Sequence, residues 1–238
     1  LMLGRENSEG FPGKNTFPVL GRPMMNYPLM AASAAKLVDN VYVSTDSTKI
    51  KKIAVDHGAT IIERSPELAT KKALGEDAYA HGYRVIKELL GNSPKLIVLL
   101  FCNAPTILAK TIDEGIRVLL DDPLLDSAVT VSAYNMWSPI RARKEGADGL
   151  LQPFVPLQAF GDLKAINCDR DSQGDVYFAD MSVSIVRPKC LEKMDNGLLP
   201  QKWMGKKIAP IKSEAGFDLD YNWQLPLVEY WIKNMKKK

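Results

Sequence analysis

Four near-continuous apolar stretches constrain this fold more than anything else in the chain: Val41–Thr45 (VYVST), Lys95–Phe101 (KLIVLLF), Ser127–Ala133 (SAVTVSA) and Ser182–Val186 (SVSIV). A strand that is apolar on both faces has to be covered on both faces, which is the pattern of a parallel sheet. Helical patterns lie between these stretches. Met24–Lys36 is rich in Ala, Leu and Met, with Pro23 near its start, where proline is tolerated. Ser47–His57 spaces Ile50, Ile53 and Ala54 for one face. Asp77–Leu90 aligns Ala78, Val85, Ile86, Leu89 and Leu90, and Lys110–Leu120 aligns Ile112, Ile116, Leu119 and Leu120. The alternation predicts an α/β fold with a doubly wound, mostly parallel sheet, whose ligands bind outside the carboxyl ends of the strands.

The 238 residues fit one domain, 1–238. The stretch from Pro139 to Tyr177 breaks the rhythm. It is rich in Gly, Pro, Gln and Asp and reads as an inserted arm or an active-site flap. The formal charge is only +3, and Lys236–Lys238 alone match it, so no basic field argues for nucleic acid or for a membrane surface. No apolar run approaches the roughly 18 residues of a spanning helix. Cys102, Cys168 and Cys190 are too few and too widely spaced for a disulfide framework or a zinc site, and read as reduced cytosolic thiols. The opening "LML" is short for a core strand, so a few further residues of that strand are expected before Leu1.

That strand runs into "GRENSEGFPGKN", Gly4–Asn15. A Gly-rich loop between a strand and a helix lets backbone amides approach an anion closely, and here Arg5 and Lys14 add full charges. The spacing matches neither Walker A nor GxGxxG. On its own the loop could equally be a solvated surface turn.

Four blocks in order make it more specific. "GRENSEGFPGKN…PVLGRPMMNYPL", "VYVSTDSTKIKKIAVDHGA", "ERSPELA" and "GFDLDYNWQLPLVE" together resemble the cytidylyltransferases that activate sialic acid and related nonulosonic acids. The resemblance spans nearly the whole chain. It implies a Rossmann-like nucleotidyltransferase fold and transfer of CMP from CTP to the anomeric hydroxyl of a 3-deoxy-2-keto sugar acid, with release of pyrophosphate. Such transfer needs in-line positioning, neutralised phosphate charge and usually Mg²⁺. By the same resemblance Arg5, Ser8, Gly10, Lys14 and Asn15 belong to the CTP site, with Arg5 and Lys14 offsetting triphosphate charge. Asp218 and Asp220 are the metal candidates. They alternate in "GFDLDYNW", so on an extended segment both carboxylates face one side and offer hard oxygen donors to Mg²⁺. Asp46 ends a strand and is either the N-cap of the next helix or a contact of the nucleotide or its metal. By the resemblance Arg64 and Arg170 lie where family arginines reach the sugar acid's carboxylate, and Asn103 stands near a family glutamine that reads its hydroxyls; plain surface or structural roles are the alternative for all three. The family analogy also implies a homodimer, with the Pro139–Tyr177 stretch reaching across, and a cytoplasmic enzyme.

Three departures from the family pattern, at four positions, stand out. Glu9 stands where the family has lysine, and a carboxylate beside a triphosphate is repulsive unless it turns away or meets a metal or arginine. Phe101 stands where the family has glutamine, and Lys71 and Gly75 replace an aspartate and a nearby serine. The last two changes suggest an acceptor other than plain N-acetylneuraminate. A nucleotidyltransferase for another sugar or NTP, or a catalytically impaired nucleotide-binding protein, remains the alternative. His57 precedes Gly58 at a helix end and His81 lies in mid-helix; neither has a Ser or Cys partner in the pattern. Trp137, Trp203, Trp223 and Trp231 read as core or interface residues.

Overall fold

The computed structural model describes residues 1–6, 10–70 and 72–235. In chain order the strands are β1 (Met2–Leu3), β2 (Pro18–Val19), β3 (Arg22–Pro23), β4 (Tyr42–Thr45), β5 (Thr60–Glu63), β6 (Ile97–Phe101), β7 (Ser127–Ala133), β8 (Arg143–Glu145), β9 (Leu151–Pro153), β10 (Tyr177–Val186) and β11 (Ile208–Ser213). The α-helices are α1 (Asn26–Ala34), α2 (Thr48–Asp56), α3 (Pro66–Ala69), α4 (Gly75–Leu90), α5 (Ala109–Asp121), α6 (Pro188–Glu192) and α7 (Leu225–Met235).

Seven strands form the central sheet in the order β11-β7-β10-β6-β1-β4-β5. β1 pairs parallel with β4 and β6, β4 with β5, and β7 with β11; β10 lies antiparallel between β6 and β7. The period of two along each strand sends alternate side chains into two cores. Met2, Val43, Leu100 and Ile185 pack beneath α1, α2 and α5, with Leu29, Ile50, Ile112, Ile116 and Leu119. Leu1, Leu3, Tyr42, Leu99 and Val186 face the other way, against α4 and α6, with Tyr79, Tyr83, Ile86 and Leu191. The sheet is therefore covered on both faces, as its apolar strands require.

Three sequence expectations shift. Pro23 does not open a helix. It pairs with Pro18 in a β2–β3 hairpin turned by Leu20 and Gly21, at φ 48° and 80°, and α1 starts at Asn26 with Pro28 in its first turn, where no amide is needed. The strand expected from Ser182 begins at Tyr177. Leu89, assigned to the buried face of α4, is 60% exposed, because Tyr79, Gly82 and Tyr83 form that face instead. Trp203 and Trp231 are core residues, whereas Trp137 and Trp223 are exposed.

The 139–177 stretch carries the β8–β9 hairpin and several 3₁₀ turns. Nearly all of it is exposed, including Leu150, Leu151 and Phe154. The three cysteines are unbonded: Cys102 and Cys190 are buried and Cys168 is exposed. Among the described residues no helix is long and apolar enough to cross a membrane.

Candidate active site

From β1 the chain winds through β4 to β5 on one side, while β6 flanks β1 on the other. This reversal makes a crevice at the carboxyl ends of β1 and β6. A cleft of about 230 Å³ opens there. Leu3 and Gly4 leave β1 into it, Phe101 and Asn103 leave β6, and Arg5, Lys14, Asn15, Asp218 and Asp220 supply its polar side. Gly4 is required where β1 ends, since a Cβ there would lie 2.5 Å from the Sγ of Cys102. Burial pushes that thiol up to about 12, so Cys102 stays a neutral packing group.

The opening loop closes through backbone and side-chain bonds. Gly13, at φ 73°, turns the chain into a 3₁₀ turn over Lys14–Thr16, which leaves Lys14 only 9% exposed. Lys14 Nζ pairs with Asp220 Oδ1 at 2.5 Å. Asn15 Nδ2 donates to the Arg5 carbonyl at 3.0 Å, and Arg5 Nη1 reaches the Thr70 carbonyl at 3.1 Å. Gly10 lies against the backbone of Asp220, where a Cβ would meet the carbonyl oxygen at 2.5 Å. Ser8, Glu9 and Lys71 lie outside the described residues.

The two aspartates sit on an extended segment, and the expected alternation holds. Leu219 between them is fully buried against Val228, Trp231 and Ile232, while Asp218 and Asp220 both line the cleft. Asn103 clamps the segment: its Nδ2 donates to the Leu219 carbonyl at 3.0 Å and to Asp218 Oδ2 at 3.4 Å, and its carbonyl accepts from the Leu219 amide at 2.8 Å. Downstream, Gln224 Oε1 accepts from the amides of Asp220 and Tyr221 at 2.7 and 2.8 Å. The sequence reading missed Gln224; its only signal is a Gln at the third position of a 3₁₀ turn, the place of a capping-box partner.

Asp218 is raised above the ordinary carboxyl value, first by burial and then by the negative charge of Asp220, with Lys14 and the Asn103 bond partly offsetting both. Both carboxylates line the cleft, and Lys14 is paired with Asp220. Among the described residues no group of three or more His, Cys, Asp and Glu side chains could hold an ion. The two hard oxygen donors nevertheless fit Mg²⁺, which takes few protein ligands and completes its shell with phosphate oxygens and water.

Other predicted site residues lie elsewhere. Asp46 does not cap α2; Ser47 does, accepting from the Ile50 amide, while Asp46 Oδ1 accepts from the Glu6 amide at 3.1 Å and so anchors the opening loop. Arg64 is 9% exposed behind the cleft, its Nη2 on the Ser44 carbonyl at 2.6 Å and its Nε on Ser44 Oγ at 3.3 Å. Arg170 is in the 139–177 stretch, paired with Asp171 at 2.8 Å, and does not line the cleft. The cleft is also lined by the apolar side chains of Leu68, Ala73, Leu74 and Phe101, with Leu74 57% exposed. Of these the sequence reading singled out only Phe101, with the neighbouring Gly75.

A doubly wound α/β sheet with a cationic Gly-rich loop and a carboxylate pair converging at its switch point defines the Rossmann-like nucleotidyltransferase class. A solved CMP:2-keto-3-deoxy-manno-octonic acid synthetase complexed with CTP superposes on 98% of this chain and 97% of its own, with TM-score 0.66 at 16% identity. A 4-diphosphocytidyl-2C-methyl-D-erythritol synthase from Anaerococcus prevotii gives TM-score 0.63 at 12% identity, over 98% of this chain and 95% of its own. The family model for cytidylyltransferase matches residues 1–135, and the chain belongs to that family. The 8-amino-3,8-dideoxy-manno-octulosonate cytidylyltransferase of Shewanella frigidimarina is 32% identical over 124 residues, 52% of this chain and 47% of its own length. The N-acylneuraminate cytidylyltransferase A of Danio rerio is 28% identical over 235 residues, 96% of this chain and 49% of its own. The chain thus spans about half the length of the curated relatives it matches.

Proposed function

We propose that this chain transfers CMP from CTP to the anomeric hydroxyl of a 3-deoxy-2-keto sugar acid of the nonulosonic or octulosonic kind, releasing pyrophosphate. The observation that carries the reading is the meeting of Lys14 and Arg5 with Asp218 and Asp220 in one cleft at the switch point. The relatives that match across the chain are named N-acylneuraminate cytidylyltransferases, and one that matches half of it is named an 8-amino-3,8-dideoxy-manno-octulosonate cytidylyltransferase.

In this reading the acid's anomeric hydroxyl gives up its proton to solvent, and its oxygen forms a bond to the α-phosphorus as the bond to the bridging oxygen of pyrophosphate breaks. Lys14 and Arg5 neutralise charge that builds on the departing group. Asn15 and Asp46 hold Arg5 and Glu6 in place through their backbones. Asp218 and Asp220 would hold Mg²⁺, which when bound supplies further neutralisation of phosphate oxygens. Lys14 then exchanges Asp220 for phosphate. The acceptor occupies the side walled by Leu68, Leu74 and Phe101, which favours an acid with a less polar face than N-acetylneuraminate presents. Arg64 is the buried cation behind the cleft. Arg170 reaches an acid only if the arm of one copy serves the cleft of another, which is the homodimer we favour.

The test is pyrophosphate release from each of the four NTPs, with Mg²⁺, against a panel of 3-deoxy-2-keto acids. Release with CTP and one or more acids, abolished in Asp218→Ala, is the expected result. Tight CTP binding with no pyrophosphate from any acid would instead make this a nucleotide-binding protein.

A further inference from the structure

The segment that bears both aspartates, 216–220, lies outside every strand, so no sheet ladder meets its backbone hydrogen-bonding needs. Asn103 and Gln224 do so from Leu219 onward. The upstream half depends on a separate buried network that no part of the proposed reaction uses.

That network starts at an irregularity in β10. Pairing with β7 slips between Ala179 and Ser184, and Met181 sits at φ 60°, a left-handed conformation that costs a non-glycine residue about 1–2 kcal/mol. The bulge turns Asp180 inward, where it is 4% exposed. Among the described residues no cation pairs with it. Its Oδ1 accepts from the Ser182 amide at 3.1 Å and its Oδ2 accepts from Ser132 Oγ at 2.8 Å. In that bond the Ser132 hydroxyl uses its one proton as donor. The lone pairs of Ser132 are thereby left for the Gly216 amide, which donates to Ser132 Oγ at 3.0 Å. The fit is close: a Cβ on Gly216 would stand 2.6 Å from Asp180 Oδ2. Next along the segment, Thr106 Oγ1 accepts from the Phe217 amide at 2.9 Å and contacts Ser182 Oγ at 3.0 Å. The residue after Phe217 is Asp218.

We propose that Asp180 is a positioning residue of the cleft: through Ser132 it fixes Gly216, and with it how far the Asp218 and Asp220 carboxylates reach toward a divalent cation. The inference rests on the proposed function. Strain at Met181 persists because it places this carboxylate under the segment.

The experiment compares Asp180→Asn and Ser132→Ala with Thr130→Val. Thr130 Oγ1 bonds the Val183 backbone in the same bulge, at 3.0 and 3.1 Å, and among the described residues hydrogen-bonds nothing in 216–220. Binding of Mn²⁺ to the CTP-loaded protein is measured by calorimetry and paramagnetic resonance, alongside turnover against Mg²⁺ and the thermal midpoint. Asp180→Asn and Ser132→Ala are expected to weaken Mn²⁺ binding and raise the half-saturating Mg²⁺ by about 10–100-fold, with the KM for CTP near wild type, since Lys14 and Arg5 stay in place. Thr130→Val is expected to lower only the thermal midpoint. Wild-type metal binding in both Asp180→Asn and Ser132→Ala overturns the proposal, as does an equal loss in Thr130→Val, because that marks general loosening. Should either of the first two variants fail to fold, the other decides. If the wild-type protein itself binds no Mn²⁺ with CTP present, the proposed function falls and this inference with it.

Discussion

Asp218 shows how one residue's environment sets both stability and chemistry. Its carboxyl is raised by burial and by Asp220, so the folded state holds that proton more tightly than the unfolded chain does. The sign follows. Without metal, this group makes the fold less stable as pH rises from the ordinary carboxyl value through the raised one, and the loss persists at neutral pH. Asp218→Asn is therefore expected to raise the thermal midpoint of the metal-free protein at pH 7 and to flatten that part of its pH dependence, even as it abolishes turnover; a lower midpoint in Asp218→Asn would contradict the assigned cause. Metal binding competes with the same proton, so half-saturating Mg²⁺ should rise as pH falls. Lys14 is the complementary case. Lys14→Met strips the cation from the site, and turnover with CTP is expected to drop by about 10²–10³-fold, the usual cost of one transition-state donor. Lys14, Asp218 and Asp220 are singled out by the order of four sequence blocks rather than by their local patterns, since a Gly-rich loop or an alternating acidic pair alone reads equally well as solvated surface. The sequence could not display Asp180, whose importance arises from a bulge that brings it under Gly216 from a different strand.

Among the elements, β4, β6 and β7 were legible because strands buried on both faces are apolar throughout. β11 was not: Pro210 sits in its middle, which a central strand would not tolerate, and the structure resolves the conflict by placing β11 at the sheet edge, paired only with β7. β10 was read as half its length because its bulge interrupts the pattern. Helix α5 shows how closely these layers pack. Gly115 faces the sheet, and a Cβ there would lie 2.4 Å from the Cδ1 atoms of both Ile185 on β10 and Ile211 on β11. Gly115→Ala is expected to destabilise by about 1–3 kcal/mol despite alanine's better helix propensity, read from the midpoint of denaturant unfolding. A stabilised variant would mean that both isoleucines rotate away without loss.

At the scale of the whole molecule, the arm is the part that the fold leaves uncovered. Leu151 is 74% exposed, with Leu150 and Phe154 exposed beside it, and clustered apolar exposure of this kind marks association sites. If the arm joins two copies, Leu151→Asp should shift the protein to a monomer in light scattering and weaken binding of the acid more than of CTP, because Arg170 leaves with the partner; an unchanged mass would remove the arm from the interface. The remaining satellite core works in the opposite sense. Val19, Met24 and Tyr27 from the region after the opening loop meet Val228, Trp231 and Ile232 of α7, and Leu219 fills the space between them. Both acidic side chains flank that one leucine, so the final helix serves as the ballast that keeps them aimed. If the proposed function holds, damage near residue 230 should be felt first as a weakened nucleotide site, about two hundred positions away from Lys14 in sequence, and only later as loss of the sheet.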